Sequence, residues 1–144
     1  MSPRPLTTAA LLVALTVVVH AVGLMLIFRW VSRSHLAEAK RFWSGSWLLV
    51  RVAWALLVVH VIGIAAWAIF YWRSGSMPDL ESAVYFSGVT YTSVGYGDLV
   101  LVRPWRLLAP IEALTGLLMG GLSTGFFFAV VTSLVAKARR AEGP

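Results

Sequence analysis

Cysteine is absent from the 144-residue sequence, which removes disulfide scaffolds, thiolate metal sites and thiol nucleophiles together. Charge is scarce: only 12% of residues are Asp, Glu, Lys or Arg, against roughly 25% in an ordinary soluble domain. With 59% hydrophobic residues and a mean hydropathy of +0.81, neither a water-soluble globule nor a disordered chain is expected. Acids are scarcest of all, 6 against 12 basic residues, so the net charge is +6. The basic residues cluster between apolar runs instead of forming one stripe, and no nucleic-acid partner is expected. No Ser/His/acid set has a shared location and no phosphate-binding glycine loop precedes a helix. Neither an enzyme nor a cofactor-binding protein is expected.

What the sequence does have is long apolar runs. A hydrocarbon core of about 30 Å needs about 20 helical residues, and three stretches qualify. Leu6–Phe28 (23 residues) and Val52–Trp72 (21 residues) carry no charge, and Leu107–Ala136 (30 residues) carries Glu112 alone. The first has one Arg before it and nothing like a cleavage site, so it reads as a helix of the mature protein and not as a signal peptide. Loop 29–51 and tail 137–144 together hold eight basic residues (Arg29, Arg33, Lys40, Arg41, Arg51, Lys137, Arg139, Arg140) and two acids (Glu38, Glu142). The opposite side has Arg4, Arg73, Arg103 and Arg106 against Asp79, Glu81 and Asp98. The basic excess predicts a cytoplasmic C-terminus and an external N-terminus. Trp30, Trp43, Trp47, Trp72 and Trp105 fall at the predicted interfaces, while Trp54 and Trp67 lie deeper, where packing is expected.

Residues 79–92 (DLESAVYFSGVTYT) are apolar enough for membrane depth but too short to cross. Ser76, Pro78, Asp79 and Glu81 suit a helix N-terminus. The segment is therefore expected to dip in from the outer face, stop partway and climb back out. Its return path reads Thr92-Ser93-Val94-Gly95-Tyr96-Gly97-Asp98. Non-helical backbone at membrane depth is tolerated only where its carbonyls meet something other than lipid. A row of carbonyls facing an axis can replace the water shell of a monovalent cation. Aiming consecutive carbonyls one way needs unusual dihedrals, which Gly95 and Gly97 reach without a Cβ penalty. Val94 and Tyr96 are then expected to pack outward as props, and Ser93 to add a hydroxyl ring at the inner end.

On these residues the sequence resembles the potassium channel pore-domain family, which includes bacterial two-helix channels and carries the filter signature T-V-G-Y-G. The likeness spans about Val52 to Ala136: outer helix, pore helix, Ser93-Val94-Gly95-Tyr96-Gly97, inner helix. It implies an all-α membrane protein in which residues 46–144 form the pore domain: outer helix 47–72, pore helix 79–92, filter 93–97, inner helix 105–137. Residues 1–45, the N-terminal helix and basic loop, are additional. The resemblance implies a homotetramer conducting K+ passively through rings of carbonyls from Ser93, Val94, Gly95 and Tyr96, in the plasma membrane and in contact with lipid. The pore-helix dipole, about −0.5 charge near Thr92, favours a cation in the central cavity. Serine at 93, where the family usually has threonine, keeps the hydroxyl and loses a methyl. A non-selective cation channel and a non-conducting channel-like scaffold are the alternatives.

The same resemblance gives Thr92, Asp98, Tyr85 and Phe86 supporting roles around the filter, with Asp98 beside the pore helix. It also makes Gly116, Gly120 or Gly121 a hinge of the inner helix, although their spacing equally suits close helix packing. Glu112 is expected behind the filter, near Thr90 or Thr92. His20 and His60 lie at similar depth; they suit hydrogen-bonded packing or a pH-sensitive group, with ligation of a haem the competing reading. No helix repeats Arg or Lys at every third position, so a voltage sensor is not expected. The N-terminal helix is expected as a lipid-facing collar outside the outer helix.

Overall fold

A computed structural model describes residues 4–33 and 42–142. The chain is all-α among these residues: α1 (Arg4–Arg33), α2 (Phe42–Arg73), α3 (Leu80–Tyr91) and α4 (Leu108–Glu142). Three of them, over Pro5–Arg33, Gly45–Arg73 and Leu108–Arg139, are long and apolar enough to cross a membrane. The protein is a multi-pass membrane protein with a short fourth helix between its second and third spans. Glu38, Lys40 and Arg41 of the basic loop lie outside the described residues.

The helices overrun the uncharged stretches that nucleate them. α2 starts five residues before the expected 47, because no proline interrupts 42–46 and each added residue gains a backbone hydrogen bond. Arg51 is thus a residue of α2, not of the loop, and its guanidinium sits 5.1 Å from the centre of the Trp30 ring. α4 starts later than expected, at Leu108 instead of 105, since Val102 to Leu108 is taken up by turns (Trp105 N–H to Val102 carbonyl, Leu108 N–H to Trp105 carbonyl). It runs on to Glu142, past the expected end at 137.

The α2–α3 connection is built from local chemistry. Gly75 takes φ +68° just beyond α2, and the Ser76 N–H returns to the Tyr71 carbonyl at 2.9 Å, closing the helix end. Four residues later Asp79 caps α3, its Oδ1 accepting from the Ser82 N–H at 2.7 Å, and Glu81 stands in the first turn.

Two apolar clusters hold the bundle together. At one end Ala9 and Leu12 of α1 meet Trp67, Ala68 and Tyr71 of α2, Ala83 and Phe86 of α3, and Leu108 of α4. At the other, Ile27 packs with Leu48, Val52, Leu56, Val59 and Val130. The start of α1 therefore lies beside the end of α2 and the start of α4, as three successive crossings require. α1 packs on both α2 and α4, so it is not a collar outside the outer helix. Its Thr16 hydroxyl accepts from Trp67 Nε1 at 2.9 Å, deep in the bundle. Trp67 is fully buried, whereas Trp54, also expected to pack, is 65% exposed on the outer surface of α2.

Candidate ion-conduction site

α3 has 12 residues and rises about 18 Å, too little to span. Its depth is set by its neighbours. Ser87 Oγ lies 2.9 Å from the Ile64 carbonyl, and the Tyr91 hydroxyl lies 3.4 Å from His60 Nδ1, near the midpoint of α2. Two glycines admit this approach. A Cβ on Gly63 would stand 3.3 Å from the Tyr91 hydroxyl, and one on Gly116 would run into the Tyr91 carbonyl. α3 therefore descends to mid-membrane and ends there, with Thr92 as its C-cap.

The chain then turns back. The Ser93 N–H bonds the Thr90 carbonyl, and the Val94 and Gly95 N–H groups share the Val89 carbonyl. Beyond this the segment has no regular structure. Its backbone is marked by positive φ at alternate positions: Ser93 +61°, Gly95 +59° and Gly97 +78°. An extended strand sends successive carbonyls to opposite sides, whereas alternation of left- and right-handed twist swings them toward one side. Ser93 holds this conformation without being glycine, at a cost of order 1–3 kcal/mol. The return path runs alongside α3, because the Tyr85 hydroxyl donates to Asp98 Oδ2 at 2.7 Å and the Leu99 N–H donates to Asp98 Oδ1 at 3.0 Å. The Tyr85 bond is the main influence holding the Asp98 carboxyl below the usual carboxylate range.

Asp98 thus lies beside α3 and is clasped by Tyr85. Phe86 turns elsewhere: adjacent residues on a helix cannot face the same way, and its ring packs edge-on against Tyr71, centroids 5.2 Å apart, in the core. The Thr92 hydroxyl bonds back to the Gly88 carbonyl at 2.7 Å. Val94 and Tyr96 do not pack as props within the chain; they are 53% and 73% exposed.

Glu112 does not reach Thr90 or Thr92. It stands one turn into α4, level with Ser87, and accepts from Ser87 and from Tyr71, whose hydroxyl lies 2.7 Å from its Oε2. Among the inner-helix glycines, Gly116 is the close-approach position; a Cβ on Gly120 or Gly121 would meet nothing within 4 Å, and α4 is continuous through all three. His20 and His60 do face each other, ring centroids 5.0 Å apart, but both Nε2 atoms converge on Ser123 Oγ, at 3.1 and 3.0 Å. That geometry leaves no room for a macrocycle between the rings. Ser123 and Tyr91 belong to no motif in the sequence. The signal was the spacing Glu112, Thr115, Met119, Ser123, one buried stripe along α4.

No curated protein and no solved structure matches the chain. A family model described as an ion channel matches residues 55–135, more than half of the chain, from within α2 through α3 and the glycine segment into α4. A helix that enters and stops at mid-membrane, a glycine-marked return path and this match agree: the chain belongs to the ion channel family.

Proposed function

We propose that this ion channel is potassium-selective and works as a homotetramer, four copies of residues 93–97 lining one axis. The observation that carries the reading is the alternation of positive φ at Ser93, Gly95 and Gly97 directly after the mid-membrane end of α3. Carbonyls of Ser93, Val94, Gly95 and Tyr96 then replace the hydration shell of K+, and repulsion between neighbouring ions keeps each site weak enough to release. One chain supplies one wall of such a cage, and rotational symmetry supplies the rest. The exposure of Val94 and Tyr96 supports this reading, since each leaves an apolar surface open for a neighbouring copy to cover. So does the apolar face of Leu114, Leu117, Leu118 and Leu122 on α4.

The four α3 C-termini point their negative dipole ends at the cavity below the filter, lowering the cost of a cation at the bilayer centre. Transport is passive and no cofactor takes part. Basic residues at the ends of α1 and α4 (Arg29, Arg33, Lys137, Arg139) favour a cytoplasmic C-terminus and an external N-terminus in the plasma membrane. In this orientation Asp98 is at the external mouth. Movement of α4 about Gly120 and Gly121 opens and closes the inner entrance.

The test is recording from reconstituted protein with K+ on one side and Na+ on the other. A reversal potential displaced strongly toward that of K+ is expected. A potential near zero with robust current identifies a non-selective cation channel, and no current under any gradient identifies a non-conducting scaffold.

A further inference from the structure

One place in the molecule brings all four helices together through polar groups: His20 on α1, His60 on α2, Tyr91 on α3 and Ser123 on α4. Ser123 Oγ lies 3.1 Å from His20 Nε2 and 3.0 Å from His60 Nε2, and His60 Nδ1 lies 3.4 Å from the Tyr91 hydroxyl. His20 is 2% and Ser123 7% exposed. The junction lies between the two apolar clusters along the bundle, with the Ser123–His20 bond buried and the two bonds of His60 half-buried.

The chemistry of the chain is cooperative. A hydroxyl has one proton to give and lone pairs to receive, and a neutral imidazole has one N–H and one bare nitrogen. With both histidines neutral, Tyr91 donates to His60, His60 to Ser123 and Ser123 to His20, and the reverse direction closes equally well. In either direction Ser123 both gives and receives. Removing its hydroxyl leaves both histidines without that partner, and removing His20 takes away the hydrogen bond between α1 and α4 while their apolar contacts remain.

The position of the junction is as telling as its chemistry. Tyr91 is the residue before the α3 C-cap and two before Ser93. Ser123 follows Gly120 and Gly121 by one helical turn or less. His20 is on the helix that lies outside the region matched by the family model, residues 55–135. A further hydrogen bond of α1, Thr16 to Trp67, reaches α2. Apolar contacts between helices allow sliding, whereas a hydrogen bond in an apolar surround fixes register.

We propose that α1 is a gating element of this channel: through His20 and Ser123 it holds α4 in register with the lead-in to the filter at Tyr91, and loss of that junction changes how long the pore stays open. The inference rests on the conducting reading above. Because residues 93–97 make no bond to the junction, unitary current and selectivity are independent of it. His20, His60, Tyr91 and Ser123 are positioning residues.

The experiment is single-channel recording of full-length protein reconstituted with K+, comparing wild type, Ser123→Ala, His20→Leu, the double variant and Ser123→Thr. Both single substitutions are expected to change open probability by about 5-fold or more in the same direction. The double variant should go no further than the stronger single, because one chain is broken once. Ser123→Thr should restore the wild-type value, with unitary current and reversal potential unchanged throughout. Open probabilities within about 2-fold of wild type in both single variants, or a double-variant effect equal to the product of the two, overturn the proposal while leaving the channel reading intact. If Ser123→Ala fails to elute as the wild-type assembly, His20→Leu against Ser123→Thr decides. A wild type that carries no K+ current sinks the conducting reading itself, a different result.

Discussion

Residues 92–98 are exposed along their whole length, and Val94 and Tyr96 present more than half of their surface. In the interior of the bundle the polar side chains are treated in the opposite way. Glu112 is fully buried and receives Ser87 and Tyr71, while Ser123 is shared by His20 and His60. Among the described residues no buried side-chain nitrogen or oxygen lacks a partner. The interior of one chain is complete, and its glycine segment is not. Burying an unpartnered polar group costs about 1–3 kcal/mol, so the interior must close on itself. The glycine segment is excused from this rule where its oxygens meet an ion and its side chains meet another copy.

The contrast is broken most sharply by substituting a glycine of the return path. Gly95→Val places a β-branched residue at φ +59°, in open space within the chain. Potassium flux into liposomes should fall by at least about tenfold, with thermal unfolding of the bundle almost unmoved. Parallel loss of both would mean that the segment belongs to the folded interior after all.

Smaller, and opposite in kind, is the effect expected inside. Glu112→Leu leaves the Tyr71 hydroxyl with no acceptor, while Ser87 can still use the Ile64 carbonyl. Stability should drop by about 1–3 kcal/mol, read as a lower unfolding temperature in detergent. Glu112→Gln keeps an acceptor oxygen and should cost clearly less. Equal losses for the two variants would show that shape, and not the hydrogen bond, is what the site requires.

The mildest effect belongs to the clasp between the two regions. Asp98 is exposed, and Tyr85 holds its carboxyl below the usual range. A carboxyl lowered in the folded protein adds stability above its unfolded value and loses it as pH falls through the folded one. Conductance should therefore be flat under external acidification until pH falls below about 4, near the ordinary aspartate value. In Tyr85→Phe that threshold should rise toward the ordinary value, because the largest cause of the lowering is gone. An unchanged threshold in current-versus-pH curves would exclude Asp98 as the group being titrated.

Much of the architecture was legible from residue order. Uncharged runs mark the spans because a charge in hydrocarbon is costly wherever it falls. Asp79 marks the start of α3 because an N-cap depends on the nearest few residues. The glycine alternation at 95 and 97 appeared as a backbone requirement, and the structure extends it to Ser93. Helix ends are less legible: α2 begins at Phe42, ahead of the expected 47, and α4 at Leu108, after the expected 105.

By itself, then, the order of amino acids determined the number of spans, the short helix between the second and third, and the return path with its special dihedrals, all products of local or one-dimensional physics. Only tertiary packing decided that α1 docks on α4 as well as α2, that Glu112 serves Tyr71 and Ser87, and that His20 and His60 meet at Ser123. Such pairings join residues as far apart as 20 and 123, and they depend on the rotation of each helix about its axis. That rotation is set by side chains on neighbouring helices fitting together, and no periodicity within a single segment encodes it.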